Sequence, residues 1–215
     1  MPLPPVILVH GGATTASVWS RVISLLGGVD VIAVDRPCSG DLATELAALA
    51  PYAEGALVVG VSGGATLGLA LAASDVRLAG AILHEPAVGR LVPGLLAPMA
   101  AAYEAGGVDL FAATLYGTSW SRAMAPADDT MVARDLTMFR SFEPAAAREG
   151  QGPVLITVGA DSPPPRHAAA RALHDALGYR TQTLPGCRHF VQWDNPEVLA
   201  DVILRALNGS TASHE

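Results

Sequence analysis

The chain has 215 residues, enough for one domain or for a domain with a small insertion. Hydrophobic residues make up 51 % and charged residues 15 %, which calls for a large core and excludes a disordered chain. Thirteen basic residues, every one of them Arg, stand against 20 acidic ones; a net charge of −7 is a poor basis for binding nucleic acid or an anionic membrane surface.

The opening Met1-Pro2-Leu3-Pro4-Pro5 has neither a positive region nor a cleavage site, so no signal peptide is expected and a cytoplasmic location is. Strands are predicted at residues 6–9, 29–34, 56–61, 79–83, 154–158 and 180–184, and helices at 16–26, 41–50, 63–73, 166–177 and 196–207. Several of these strands are continuous apolar runs, the pattern of strands covered on both faces. Strand and helix alternate, which predicts an α/β fold: a doubly wound, mostly parallel sheet of about six strands. Residues 55–74 carry no charge and are long enough to cross a bilayer. Their middle, Gly60-Val61-Ser62-Gly63-Gly64, is a turn signal, so a buried strand and a buried helix are expected there.

The alternation stops after the fourth strand. Residues 87–150 show no strand pattern and contain helical pieces at 94–105, 108–115 and 128–139, which predicts a helical cap inserted into a core formed by 1–86 and 151–215. Trp120, Met124, Phe139 and Phe142 fall in this segment and are expected to pack the cap or line an apolar pocket. Asp128 and Asp129 read as a solvated helix start, and the tail after Asn208 as frayed. Cys38 and Cys187 lack a CxxC partner and a Cys/His cluster, so neither a disulfide framework nor a metal site is expected.

Gly60-Val61-Ser62-Gly63-Gly64 fits G-x-S-x-G between a strand and a helix. A Ser at the apex of such a turn has an exposed hydroxyl, and the amide of Gly63 sits at a helix N-terminus, where it can donate to an oxyanion. A competing reading takes Gly60, Gly63 or Gly64, and Gly68 as a dinucleotide-binding loop, with Glu85 as the ribose-binding acid at the end of the next strand; Ser62 occupies its second Gly position. His10-Gly11-Gly12 after the first strand favours the first reading, because small residues there let the Gly12 amide point at the same oxyanion. Asp161 follows the fifth strand across Gly159-Ala160, and His189 lies in the loop before the last helix. A hydroxyl needs an imidazole base, and the imidazole a carboxylate to fix its tautomer, so Ser62, Asp161 and His189 form a candidate triad.

With these pieces the chain resembles the α/β-hydrolase fold superfamily over residues 5–207. The matching segments are Val9-His10-Gly11-Gly12 with Trp19, Asp35-Arg36-Pro37-Cys38-Ser39-Gly40, the turn at Ser62, Gly159-Ala160-Asp161-Ser162 and His189-Phe190. The resemblance implies a serine hydrolase of esters or thioesters, with a helical cap where residues 87–150 lie. It implies a small-molecule acyl substrate and no metal or organic cofactor. Relatives also include lyases, cyclases, acyltransferases and silent ligand-binding members. Some place the acid after the preceding strand, which makes Glu85 in His84-Glu85-Pro86 the rival of Asp161; a buried structural carboxylate or a substrate contact are its other readings. Trp19, Glu85, Trp120, Met124 and Phe139 are candidate pocket residues, and His10 is expected to be structural. The chain departs from the pattern in starting at the third standard strand, in the short stretch 40–55 before the turn strand, which implies a truncated helix, and in Cys38 where small relatives often have Gly.

Overall fold

The computed structural model describes residues 3–212, with side chains to residue 209. Six strands, β1 (Val6–Val9), β2 (Val31–Val34), β3 (Leu57–Val61), β4 (Gly80–His84), β5 (Val154–Gly159) and β6 (Arg180–Leu184), form one sheet in the order β2-β1-β3-β4-β5-β6. Every pairing is parallel. Successive side chains point to opposite faces of a strand, and the core divides accordingly. Ile7, Val9, Val58, Ala81, Leu83, Ile156 and Val158 pack in one cluster, and Val6, Leu8, Leu57, Val59 and Ile82 in the other.

The helices α2 (Leu42–Ala53), α3 (Gly63–Ala72) and α6 (Pro164–Leu177) cover the first face, through Leu49, Leu67, Leu69 and Leu173. A 3₁₀ turn at Ala16–Trp19, α1 (Ser20–Leu25), the single turn α7 (Val191–Asp194) and α8 (Pro196–Ala212) cover the second. All ten residues of α3 are buried, which explains the charge-free run around it: the helix lies in the core. The helix before the turn strand is not truncated. Although its stretch of chain is short, α2 has 12 residues and is capped by Asp41, whose carboxylate accepts from the Thr44 amide at 2.8 Å.

Between β4 and β5 the described chain is helical. Two of the predicted pieces form one element, α4 (Ala97–Tyr116), broken where Gly106 and Gly107 leave helical geometry, and the third is α5 (Thr130–Arg140). Near the end of the chain, α8 continues to Ala212 where fraying was expected after Asn208; residues 213–215 lie outside the described part. Among the described residues no helix is long and apolar enough to cross a membrane. Cys38 and Cys187 are both buried free thiols.

Candidate active site

Backbone strain is concentrated on one rim of the sheet. The four non-glycine residues with positive φ among those described are Ala13 (φ 55°), Cys38 (φ 49°), Ser62 (φ 57°) and Glu85 (φ 50°). Each follows the carboxyl end of a strand, β1, β2, β3 and β4 in turn, where open α/β sheets gather their ligands. Such conformations cost energy, and they cluster where a site demands them.

The turn at Ser62 is tight enough to dictate its neighbours. A β-carbon on Gly60 would strike the carbonyl of Gly64, and one on Gly64 the carbonyl of Val9. Ser62 is half-buried, its amide donating to His84 O at 2.9 Å across the β3–β4 pair. Gly63 opens α3, and a β-carbon built on it would lie 3.5 Å from the Gly12 amide nitrogen, so the backbones of Gly12 and Gly63 are neighbours beside Ser62. Neither amide has an acceptor among the described residues. Such a pair of donors suits an oxygen that gains negative charge.

The loop that supplies Gly12 is fixed from several sides. His10 donates from Nδ1 to Gly11 O at 2.9 Å and accepts the Arg36 amide at Nε2, and burial holds it neutral, its pKa lowered to about 3. From the helical segment, Tyr116 Oη donates to Gly12 O at 2.6 Å and Trp120 Nε1 to Ala13 O at 2.9 Å. The fully buried Arg36 side chain bonds His10 O at 3.0 Å, Glu45 of α2 at 3.1 Å and, at 2.6 Å, Asp135 of α5. That charge web ties the Gly12 loop, the core and the helical segment together.

His189 stands on the loop after β6. Its Nδ1 donates to Glu85 Oε2 at 2.7 Å, and its Nε2 is buried with no hydrogen-bond partner among the described residues. Tyr116 stacks on the imidazole with centroids 5.8 Å apart. The same tyrosine's hydroxyl lies 3.0 Å from the position of a β-carbon on Gly11, a position only 2.9 Å from Ser62 Cβ. Tyr116 thus lies between the Ser62 turn and the His189 ring, and no hydrogen bond joins Ser62 to His189 in the structure. Burial and the nearby Arg166 lower the His189 pKa to about 4, so the ring is a neutral base near pH 7.

Glu85 takes the contact expected of Asp161. The Glu85 carboxylate also accepts from the Gly159 amide at 3.0 Å and from the Ser162 hydroxyl. Burial raises its pKa, but the hydrogen bond from His189 and the charges of His189, His84 and Arg166 outweigh that and hold it far below the usual carboxylate range. Asp161 is exposed; its amide donates to Cys187 O at 3.0 Å, and its carboxylate makes no hydrogen bond with His189. The reason is geometric. Glu85 leaves β4 in a left-handed backbone conformation with one more methylene of reach, while the β5 loop turns Asp161 outward and offers donors, Gly159 and Ser162, in its place. His84 locks the arrangement, since its Nε2 donates to Arg188 O at 3.1 Å in the His189 loop.

Of the remaining candidates, only Phe139 faces the cavity beside Ser62. Trp19 is fully buried in the core, Trp120 clamps the Gly12 loop, and Met124 packs against the second core cluster. The cavity has a volume of about 30 Å³, with Gly12, Ser62 and Gly63 on one side and Met99, Phe111, Leu115 and Phe139 on the other. Sequence reasoning missed Tyr116 and Arg166, both buried at the site; they lie in segments without a motif, and their contacts are long-range. Among the described residues no group of three His, Cys, Asp or Glu is arranged to hold a metal ion.

A family profile described as the alpha/beta hydrolase family matches residues 6–202. Among solved structures, MenH from S. aureus aligns with a TM-score of 0.74 at 14 % identity, over 98 % of this chain and 96 % of its own. A hydrolase from Pseudomonas aeruginosa PA01 aligns with a TM-score of 0.74 at 19 % identity, over 95 % and 90 %. The enol-lactonase from Burkholderia xenovorans LB400 aligns with a TM-score of 0.68 at 18 % identity, over 97 % and 92 %. No match is found among curated proteins.

Proposed function

The chain belongs to the alpha/beta hydrolase family, and from that premise we propose that it hydrolyses a short-chain ester, thioester or similarly activated acyl compound through a serine nucleophile. The observation that carries this is the Glu85–His189 pair, 2.7 Å apart, whose free Nε2 is buried on the rim that carries Ser62.

In this reading His189 Nε2 takes the Ser62 proton as Oγ bonds to the acyl carbon, and Glu85 stabilises the imidazolium that forms. The Gly12 and Gly63 amides hold the carbonyl oxygen as it becomes an oxyanion. When the bond to the leaving group breaks, His189 returns the proton to the departing alcohol or thiol. Water then gives its proton to His189 and attacks the acyl-serine, releasing the acid and restoring Ser62. Residues 87–150 serve as the cap that closes over the acyl group.

The test is turnover of short 4-nitrophenyl esters. Ser62→Ala is expected to lower kcat by about 10³-fold or more. An unchanged rate would remove Ser62 from the chemistry.

A further inference from the structure

Two arginines are buried among the described residues, and they are bonded very differently. The Arg36 guanidinium donates to His10 O, Gly11 O, a Glu45 oxygen and both oxygens of Asp135. The Arg166 guanidinium donates once, from Nη1 to Glu85 O at 3.3 Å, while its Nε stands 3.6 Å from Glu85 Oε2, beyond hydrogen-bond reach. A guanidinium carries five N–H donors, so most of those on Arg166 have no acceptor among the described residues. Its charge is paired with Glu85 only through that longer contact and most of its donors stay unused, which in a residue 93 % buried calls for an explanation.

Glu85 does not supply one. Its carboxylate is already held by His189, Gly159 and Ser162. The position of Arg166 does, for it lines the cavity at Ser62 and Gly63. Asp135, the other charged residue of that wall, has both oxygens on Arg36. Arg166 is thus an under-bonded cation in the wall of an otherwise largely apolar cavity, next to the nucleophile position. Its pKa is lowered, with burial as the largest cause, whereas that of Arg36 is raised by its carboxylate partners against the same desolvation.

The planar fork of a guanidinium matches a carboxylate in two parallel hydrogen bonds, and a low-dielectric wall strengthens such a contact. We propose, resting on the acyl-transfer reading of the same site, that Arg166 binds a carboxylate of the substrate, so that the compounds accepted are half-esters or half-thioesters of short dicarboxylic acids. The scissile carbonyl lies at Ser62 and the free carboxylate on Arg166. A larger phosphoryl group would bring a second negative charge towards Glu85.

The experiment compares monomethyl succinate with methyl pentanoate, the acid released being quantified by chromatography. The half-ester is expected to show a kcat/KM about 20-fold or more above the neutral ester. That ratio is expected to collapse towards one in Arg166→Gln and to survive in part in Arg166→Lys, with folding of both checked by circular dichroism. Equal rates for the two esters, or a preference unchanged in Arg166→Gln, would overturn the proposal. Calorimetry on the Ser62→Ala protein keeps it separate from the hydrolase reading. Binding of monomethyl succinate that is lost when Arg166→Gln is added supports the carboxylate site whatever turnover is seen; no binding of monomethyl succinate there refutes it even if neutral esters are hydrolysed.

Discussion

Glu85 Oε2 and His189 Nδ1 lie 2.7 Å apart although 104 positions separate them along the chain. The contact joins the end of β4 to the loop after β6 and fixes which imidazole nitrogen remains free. In the proposed reaction, exchanging Glu85 for Gln would remove the charge that stabilises the imidazolium and let the ring take the other tautomer. We expect Glu85→Gln to lower kcat on a short ester by about 10³-fold, and Asp161→Asn to change it by less than about 3-fold. Steady-state kinetics of the two variants side by side decides this, and the reverse order would return the acid role to Asp161.

Tyr116 and Trp120 hold two successive carbonyls of the loop that carries the Gly12 amide. In the proposed reaction that amide acts as charge develops on the substrate oxygen, so loosening it should act on the transition state more than on binding. Tyr116→Phe and Trp120→Phe are each expected to lower kcat by about 10-fold with a smaller change in KM. A rise in KM with kcat intact would show that the clamp shapes the pocket instead.

The turn at Ser62 was legible in the sequence because its requirements are local: a strand, small residues on either side, then a helix. The parallel sheet was legible for the same reason, through apolar runs alternating with helical stretches. Which carboxylate meets His189 was not, since it depends on the left-handed backbone at Glu85 and the outward turn at Asp161, and neither leaves a residue pattern. Trp19 shares its sequence neighbourhood with the Gly12 loop yet points into the core, and Tyr116 meets His189 only through the packing of α4. Arg166 follows Asp161 closely, but nothing in the sequence tells a surface arginine on α6 from one turned under the sheet rim.

Three buried histidines are expected to weaken the fold as the pH falls. His10, His84 and His189 all have lowered pKa values, with burial the largest cause. Between the ordinary value of 6.5 and the lowered folded values of about 3 for His10 and about 4 for His189, the unfolded chain binds more protons than the folded one. Their contribution is complete above pH 6.5 and is lost as the pH falls through that window. Glu85, whose folded pKa is also depressed, adds a loss that begins lower, near its ordinary value of 4.5. The urea midpoint is expected to fall steadily from pH 7 to pH 4.5; a flat profile would contradict this burial.

Arg36 links the core to the helical segment through Glu45 and Asp135. Removing it leaves Glu45 and Asp135 buried without their cation, and Arg36→Met is expected to cost about 3–5 kcal/mol. Thermal melting should show it as a fall of roughly 10 °C for a chain of this size. A melting temperature within a degree or two of the parent would mean that the web contributes little net stability.

In the proposed reaction the cavity of about 30 Å³ beside Ser62 limits the length of an apolar acyl chain. Among neutral esters acetyl is therefore expected to exceed octanoyl in kcat/KM by about 10-fold or more. Phe139→Ala should narrow that gap, and equal rates in the parent would show that the wall opens freely.

Intact-protein mass spectrometry after exposure to a fluorophosphonate probes the activated serine without any choice of substrate. One adduct is expected, mapped to the peptide containing Ser62, abolished in Ser62→Ala and much slower to form in Glu85→Gln. A protein that stays unmodified, or carries the adduct on another residue, would contradict the account.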